Sequence, residues 1–185
     1  MEEKSLKTLL KEQMVLDGYQ FYETACFKIA SSKMSYRALE RLDKIQSQVF
    51  HKNRENMFEE LKQTGRVGYV PPKDTVDYFG EDVSRHVVIE KLVIEIFGSL
   101  HSFFDILAQL INAVLYANDG VYINRVSFNR VVEKIDQFKE YSGDYIERIK
   151  KIEADFEYKF IGDFNNTVKH RRQINIGMKF EILKG

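Results

Sequence analysis

Only two prolines occur in the 185 residues, Pro71 and Pro72, and they are adjacent. A proline inside a helix removes a backbone donor and clashes with the preceding turn, so long helices can run uninterrupted on either side of this pair. Apolar residues do recur at three- and four-residue spacing through most of the chain. From Glu2 to about Ala30 the pattern holds Leu6, Leu9, Leu10, Met14, Leu16, Phe21, Ala25 and Ile29. From Ser35 to about Leu61 it holds Leu39, Leu42, Ile45, Val49, Phe50, Met57, Phe58 and Leu61. Gly65 and Gly68, then the prolines, end the second pattern and open a connection to about Glu81. Tyr69, Tyr78 and Phe79 make that connection an aromatic loop, expected to pack down over a bundle end.

A third pattern runs from about Asp82 to Tyr116, with Ile89, Leu92, Ile96, Leu100, Phe103, Leu107, Leu110 and Val114 on one stripe, until Asn118-Asp119-Gly120 ends it. Ser127 is a plausible N-cap for a helix to Tyr141 carrying Phe128, Val131, Val132, Ile135 and Phe138. Ser142-Gly143 interrupts the chain, and a last helical pattern follows from about Asp144 to Val168, with Gly162 as a candidate break. Ile174 to Leu183 alternates weakly, as a short strand or a tail. The expectation is therefore one all-α domain over residues 1–185, an antiparallel bundle of four to five long helices, with no repeat and no second domain.

Lysines and arginines equal aspartates and glutamates at 28 each, so no global field draws nucleic acid or an anionic membrane. Such binding has to come from a local patch. The single Cys26 excludes a disulfide framework and a multi-cysteine zinc site, and beside Ala25 and Phe27 it is expected to fill core. Met-Glu-Glu-Lys-Ser is no signal peptide, which makes the cytoplasm the expected location. His51, His86, His101 and His170 form no paired helical ligand motif, so no metal and no cofactor are expected. Gly65-Arg66-Val67-Gly68 lacks the Lys-Ser/Thr of a phosphate loop.

Between Ile96 and Asn118 the only formally charged residue is Asp105. A helix with one face in water normally fills it with Lys and Glu. Here the back face holds Gly98, His101, Asp105, Ala108, Gln109 and Asn112. Several polar groups and a central acid argue against a membrane span. The pattern predicts a central helix surrounded by others or by a second subunit. Asp105, Gln109 and Asn112, at i, i+4 and i+7, then form a partly buried polar ladder. It either fixes helix register through local hydrogen bonds or walls a polar site.

The second candidate wall is Asn165-Asn-Thr-Val-Lys-His-Arg-Arg172. It follows a stripe of Phe156, Phe160, Phe164 and Val168, and it places Asp163, Asn166 and His170 on one side of a continuous helix. Lys169, Arg171 and Arg172 suit phosphate oxygens, and a histidine can take the proton of a ribose 2′-hydroxyl attacking the adjacent phosphate. Such chemistry needs no metal, and DNA lacks the nucleophile. Against this, basic residues at a helix C-terminus also complement its dipole and free carbonyls.

With Phe103-Phe-Asp-Ile-Leu-Ala-Gln-Leu-Ile-Asn112 on a central helix and Asn166-Thr-Val-Lys-His-Arg171 on a late one, the chain resembles the HEPN superfamily of all-α nucleotide-binding and ribonuclease domains. The resemblance implies a core at about 82–173 with N-terminal helices 2–64 packed on it. It also implies a homodimer and RNA or nucleotide as ligand, in defence or toxin–antitoxin settings, and in active members metal-independent RNA cleavage. His170 matches the motif histidine and Asn166 the polar residue of the motif. Asn165 stands where active members have Arg, and an amide supplies no cationic fork. In this reading His170, Asn166 and Asn165 are the catalytic set, Lys169, Arg171 and Arg172 hold phosphate, and Asp105, Gln109 and Asn112 support them. The alternative is a non-catalytic helical module that binds a protein partner, its polar cluster structural.

Overall fold

Helical periodicity dominates the computed structural model of the protein, which describes residues 16–66, 74–116, 125–135 and 143–170. Among these the fold is an all-α helical bundle with five α-helices and a single two-stranded hairpin. They are α1 (Leu16–Thr64), β1 (Thr75–Tyr78), β2 (Glu81–Ser84), α2 (Arg85–Ile111), α3 (Phe128–Ile135), α4 (Gly143–Ala154) and α5 (Phe156–His170). A π-helical turn, Asn112–Tyr116, follows α2. The expected helical start before residue 16, the proline pair, the Asn118–Gly120 terminator, the helix continuation to Tyr141 and the segment 174–183 lie outside the described residues.

Several expectations change. The two N-terminal patterns are one helix: Ala30 to Ser35 contains neither Gly nor Pro, so nothing interrupts the backbone ladder of α1, and Ser32 and Ser35 are buried within it. The aromatic loop contains a hairpin, whose strands pair Val76 with Val83 and Tyr78 with Glu81. Its two-residue turn has positive φ at both Phe79 (56°) and Gly80 (87°), the arrangement that matches strand twist, and Asp77 Oδ1 accepts from Gly80 N at 2.7 Å. The third helix accordingly begins at Arg85, because 82–84 are strand.

The last helical pattern breaks at Asp155 rather than at Gly162. The Asp155 amide closes on the Ile152 carbonyl at 3.2 Å, ending α4, and its carboxylate accepts from the Glu157 amide at 3.3 Å, capping α5. Hydrogen bonding to Glu157 holds the Asp155 carboxyl below the ordinary carboxylate range, with the Lys151 charge acting in the same direction.

By its contacts the chain divides into two compact units, Met1–Lys33 with Ile96–Gln173, and Met34–Glu95 with Ile174–Gly185. In the first, α3 buries Phe128, Val131, Val132 and Ile135, at i, i+3, i+4 and i+7, together with Ala108 and Ile111 of α2 and Ile146 of α4. Phe128 is also one corner of an aromatic triangle with Phe104 and Tyr158, the centroids 4.9–5.4 Å apart. Phe97 packs on Phe164 at 4.3 Å and on Phe160 at 5.6 Å. Among the described residues of the N-terminal segment Ala25 is a buried apolar residue, and Cys26, one step round the helix, is exposed instead of filling core.

In the second unit, Val88, Ile89 and Leu92 are buried, and the Lys91 ammonium donates to the Tyr78 hydroxyl at 2.6 Å. The expected core stripe of the second helical pattern is largely open, with Ile45, Val49, Phe50, Phe58 and Leu61 exposed.

Two stability measurements follow. Phe128 is 1% exposed, so Phe128→Ala should cost about 3–5 kcal/mol in denaturant unfolding. The Asp155 cap stabilises at pH values above the ordinary carboxylate pKa of about 4, and the contribution is lost as pH falls through the lower folded-state value. Asp155→Ala should therefore lower the thermal midpoint at neutral pH, and the difference from wild type should vanish in strong acid.

Candidate functional site

Residues three and four apart share a helix face, and two such faces meet in the first unit. α2 contributes His101, Phe104 and Asp105; α5 contributes Lys159, Asp163 and Asn166 at steps of four and three. With Asn129 of α3 and Tyr158, Ile161 and Gly162 of α5 they line a cleft of about 410 Å³. The Phe104–Tyr158–Phe128 triangle ties the three contributing helices together beside it.

His101 Nδ1 lies 3.2 Å from Asp105 Oδ2, with the imidazole 28% and the carboxylate 58% exposed. Contact through Nδ1 leaves the other ring nitrogen, Nε2, for a ligand. The Tyr158 hydroxyl donates to Asn129 Oδ1 at 2.5 Å. Burial, and then the Glu153 and Asp105 carboxylates, raise its pKa from the ordinary 10, so it stays a protonated donor at neutral pH. The Lys159 ammonium donates to the Ala154 carbonyl at 3.3 Å. The cleft thus offers one ammonium, two carboxylates, two amides and an imidazole beside two aromatic rings.

Gly162 stands inside α5, where glycine costs a helix about 0.5–1 kcal/mol relative to alanine. A Cβ built there meets nothing within 4 Å, so packing does not require glycine. What the missing side chain leaves is open space on the cleft lining.

Of the residues picked out in the sequence, the fold brings His101 and Asp105 of the third helix's polar face together with Asp163 and Asn166 of the late helix in this lining, Asp105 and Asn166 being 61 positions apart in the chain. The rest of the expected ladder separates from them. Gln109 and Asn112 are half-buried and do not line the cleft, while Asp105 is exposed rather than buried. The reason is the azimuth of α2: its buried edge in this unit runs through Ala108 and Ile111, and Ala108 had been assigned to the polar face. Asn165 is half-buried on the side of Tyr158, Ile161 and Val168 and does not line the cleft.

Lys169 and His170 are exposed. His170 continues the face of Lys159, Asp163 and Asn166 one turn farther along, about 6 Å by helical rise, and is not in the lining. Arg171 and Arg172 lie outside the described residues. The stripe ahead of the segment is only partly covered: Phe156 and Phe160 are exposed, Phe164 and Val168 half-buried, and Ile161 is the buried residue. The sequence puts His101 on the polar face of the third helix without assigning it to the candidate site, and it does not single out Asn129, Tyr158 or Lys159. For His101 the available signal is its i, i+4 spacing to Asp105 in a stretch otherwise free of charge.

Among the described residues no three His, Cys, Asp or Glu side chains converge as a metal-binding group, and no helix is long and apolar enough to cross a membrane. No protein-family model matches the chain, and no curated protein or solved structure matches it.

Tyr158 can be followed directly. A raised folded-state pKa means that its contribution to stability is whole below about 10 and is lost as pH rises through the folded value. Denaturant midpoints measured from neutral to strongly alkaline pH should fall less in Tyr158→Phe than in wild type.

Proposed function

We propose that this chain is a HEPN-like domain that binds RNA or a nucleotide in the cleft of the first unit, and that it cleaves RNA without a metal. The observation that carries this reading is the meeting of Asp105 and Asn166, with His101 and Lys159, around one polar cleft. Aromatic rings beside amides and carboxylates suit a base and its ribose: amides meet base edges, and carboxylates accept from ribose hydroxyls. Lys169, farther along α5, supplies a cationic donor of the kind phosphates require, and His170 beside it a ring N–H. Open space at Gly162 lets a ligand approach the α5 backbone. In the homodimer that the resemblance implies, two such clefts would act on one strand.

A second reading, the non-catalytic module that binds a protein partner, is favoured by the exposed Ile45, Val49, Phe50, Phe58 and Leu61 of α1. One experiment separates the two. A short fluorescent single-stranded RNA, titrated with protein in EDTA, should bind and be cut, and a mononucleotide should compete with it. Gly162→Leu should fill the lining and weaken RNA binding at least tenfold while preserving the helical circular dichroism spectrum. An RNA that neither binds nor is cut would leave the interaction module as the function.

A further inference from the structure

Two histidines are available to this site, and the geometry distinguishes them. His170 is the residue that the family pattern selects, yet it is exposed one turn beyond the lining. His101 belongs to the lining and is held by a carboxylate. We propose that His101 is the catalytic general base of the cleft and that Asp105 is its positioning residue. The inference rests on RNA being the ligand of the cleft.

The pair sits at i, i+4 on α2, with Nδ1 of the ring 3.2 Å from Oδ2 of the acid. A carboxylate at Nδ1 favours the tautomer carrying its proton there, which turns Nε2 into a lone-pair acceptor and fixes the ring plane. At 28% exposure the imidazole is reachable by a ligand but partly enclosed. The titratable groups around it are Asp105 on its own helix and Tyr158, Lys159 and Asp163 from α5; Asn129 from α3 and Asn166 from α5 are neutral. Among these, Tyr158 already donates to Asn129 and Lys159 to the Ala154 carbonyl, whereas His101 keeps Nε2 for the substrate.

The step balances with the substrate, one histidine and water. Nε2 of His101 takes the proton of the ribose 2′-hydroxyl as the 2′-oxygen forms its bond to the adjacent phosphorus. The bond from phosphorus to the 5′-oxygen breaks, and that oxygen leaves with a proton from water. The products are a 2′,3′-cyclic phosphate and a 5′-hydroxyl. The imidazolium, stabilised by Asp105, returns its proton to solvent.

A short end-labelled single-stranded RNA and its all-deoxy counterpart test this in EDTA, with binding measured separately by anisotropy. Wild type should cut the RNA to cyclic-phosphate ends and leave the DNA intact. His101→Ala, and independently His101→Gln, should lose about a hundredfold or more in the cleavage rate of bound RNA, a far larger loss than either shows in RNA affinity. Free imidazole should restore part of the rate to His101→Ala. Asp105→Asn should lose less and should alter the pH–rate profile, a change that a purely structural role would not produce. His170→Ala should weaken binding more than cleavage of bound RNA. Wild-type rates in both His101 variants, abolition by His170→Ala alone, or RNA bound but never cut would each overturn the assignment while leaving the binding reading in place. An RNA that does not bind overturns the binding reading and this inference with it.

Discussion

The contact on which the site depends is the aromatic triangle of Phe104, Phe128 and Tyr158. Each ring comes from a different helix, and each neighbours a residue of the cleft in sequence: Asp105 after Phe104, Asn129 after Phe128, Lys159 after Tyr158. Successive helical residues are about 100° apart, so a ring seated in the interior puts the next side chain at its rim. Close packing of large rings fixes three helix azimuths together, and through them the polar groups of the cleft. Phe128, with almost no exposed surface, anchors the triangle to the aliphatic core of Val131, Ile135 and Ile146. The hydrogen bond from Tyr158 to Asn129 adds a directional tie that ring packing alone lacks.

α5 can take part because the chain breaks at Asp155. A helix continued from α4 would keep one axis and could not present Tyr158 and Ile161 inward independently of Ile146 and Ile149. Capping by Asp155 lets the second segment start anew, with its first free amides satisfied by a carboxylate. Gly162, which looked like the better breaker, sits quietly inside α5. Glycine only lowers helix propensity, whereas aspartate offers the backbone an alternative partner at a helix start.

Legibility in the sequence followed the strength of periodic signals. The all-α class and the α3 core, Phe128, Val131, Val132 and Ile135, were readable because four apolar residues at helical spacing leave little choice of face. The hairpin was not, since four-residue strands carry too few alternations, and Tyr78-Phe79-Gly80-Glu81 reads as an aromatic loop until the strands are paired. Helix azimuth was the harder quantity in the long third helix, where apolar residues occupy more than one face. A stripe through Phe103, Leu107 and Leu110 and an edge through Phe104, Ala108 and Ile111 are both available, and choosing the former put Ala108 among the polar residues. The same ambiguity obscures His101: the sequence sets it on the polar face with Asp105, but the ladder is drawn onward through Gln109 and Asn112 and not back to the imidazole four residues earlier.

Electrostatics then constrain what the proposed ligand is held by. Nucleic-acid binding driven by released counterions needs several cations facing phosphates. Positive and negative residues balance over this chain, and within the cleft Lys159 shares the lining with Asp105 and Asp163. Two carboxylates beside one ammonium oppose a polyanion and instead favour the uncharged parts of a nucleotide, the base and the ribose hydroxyls. Phosphate recognition in the proposed reading has to come from the exposed basic end of α5, at Lys169 and His170, one turn beyond the lining. If RNA is the ligand, that division would place the ribose 2′-hydroxyl toward the cleft and the backbone charge toward solvent, the orientation in which an imidazole held by Asp105 would meet the nucleophile and be spared the phosphate oxygens.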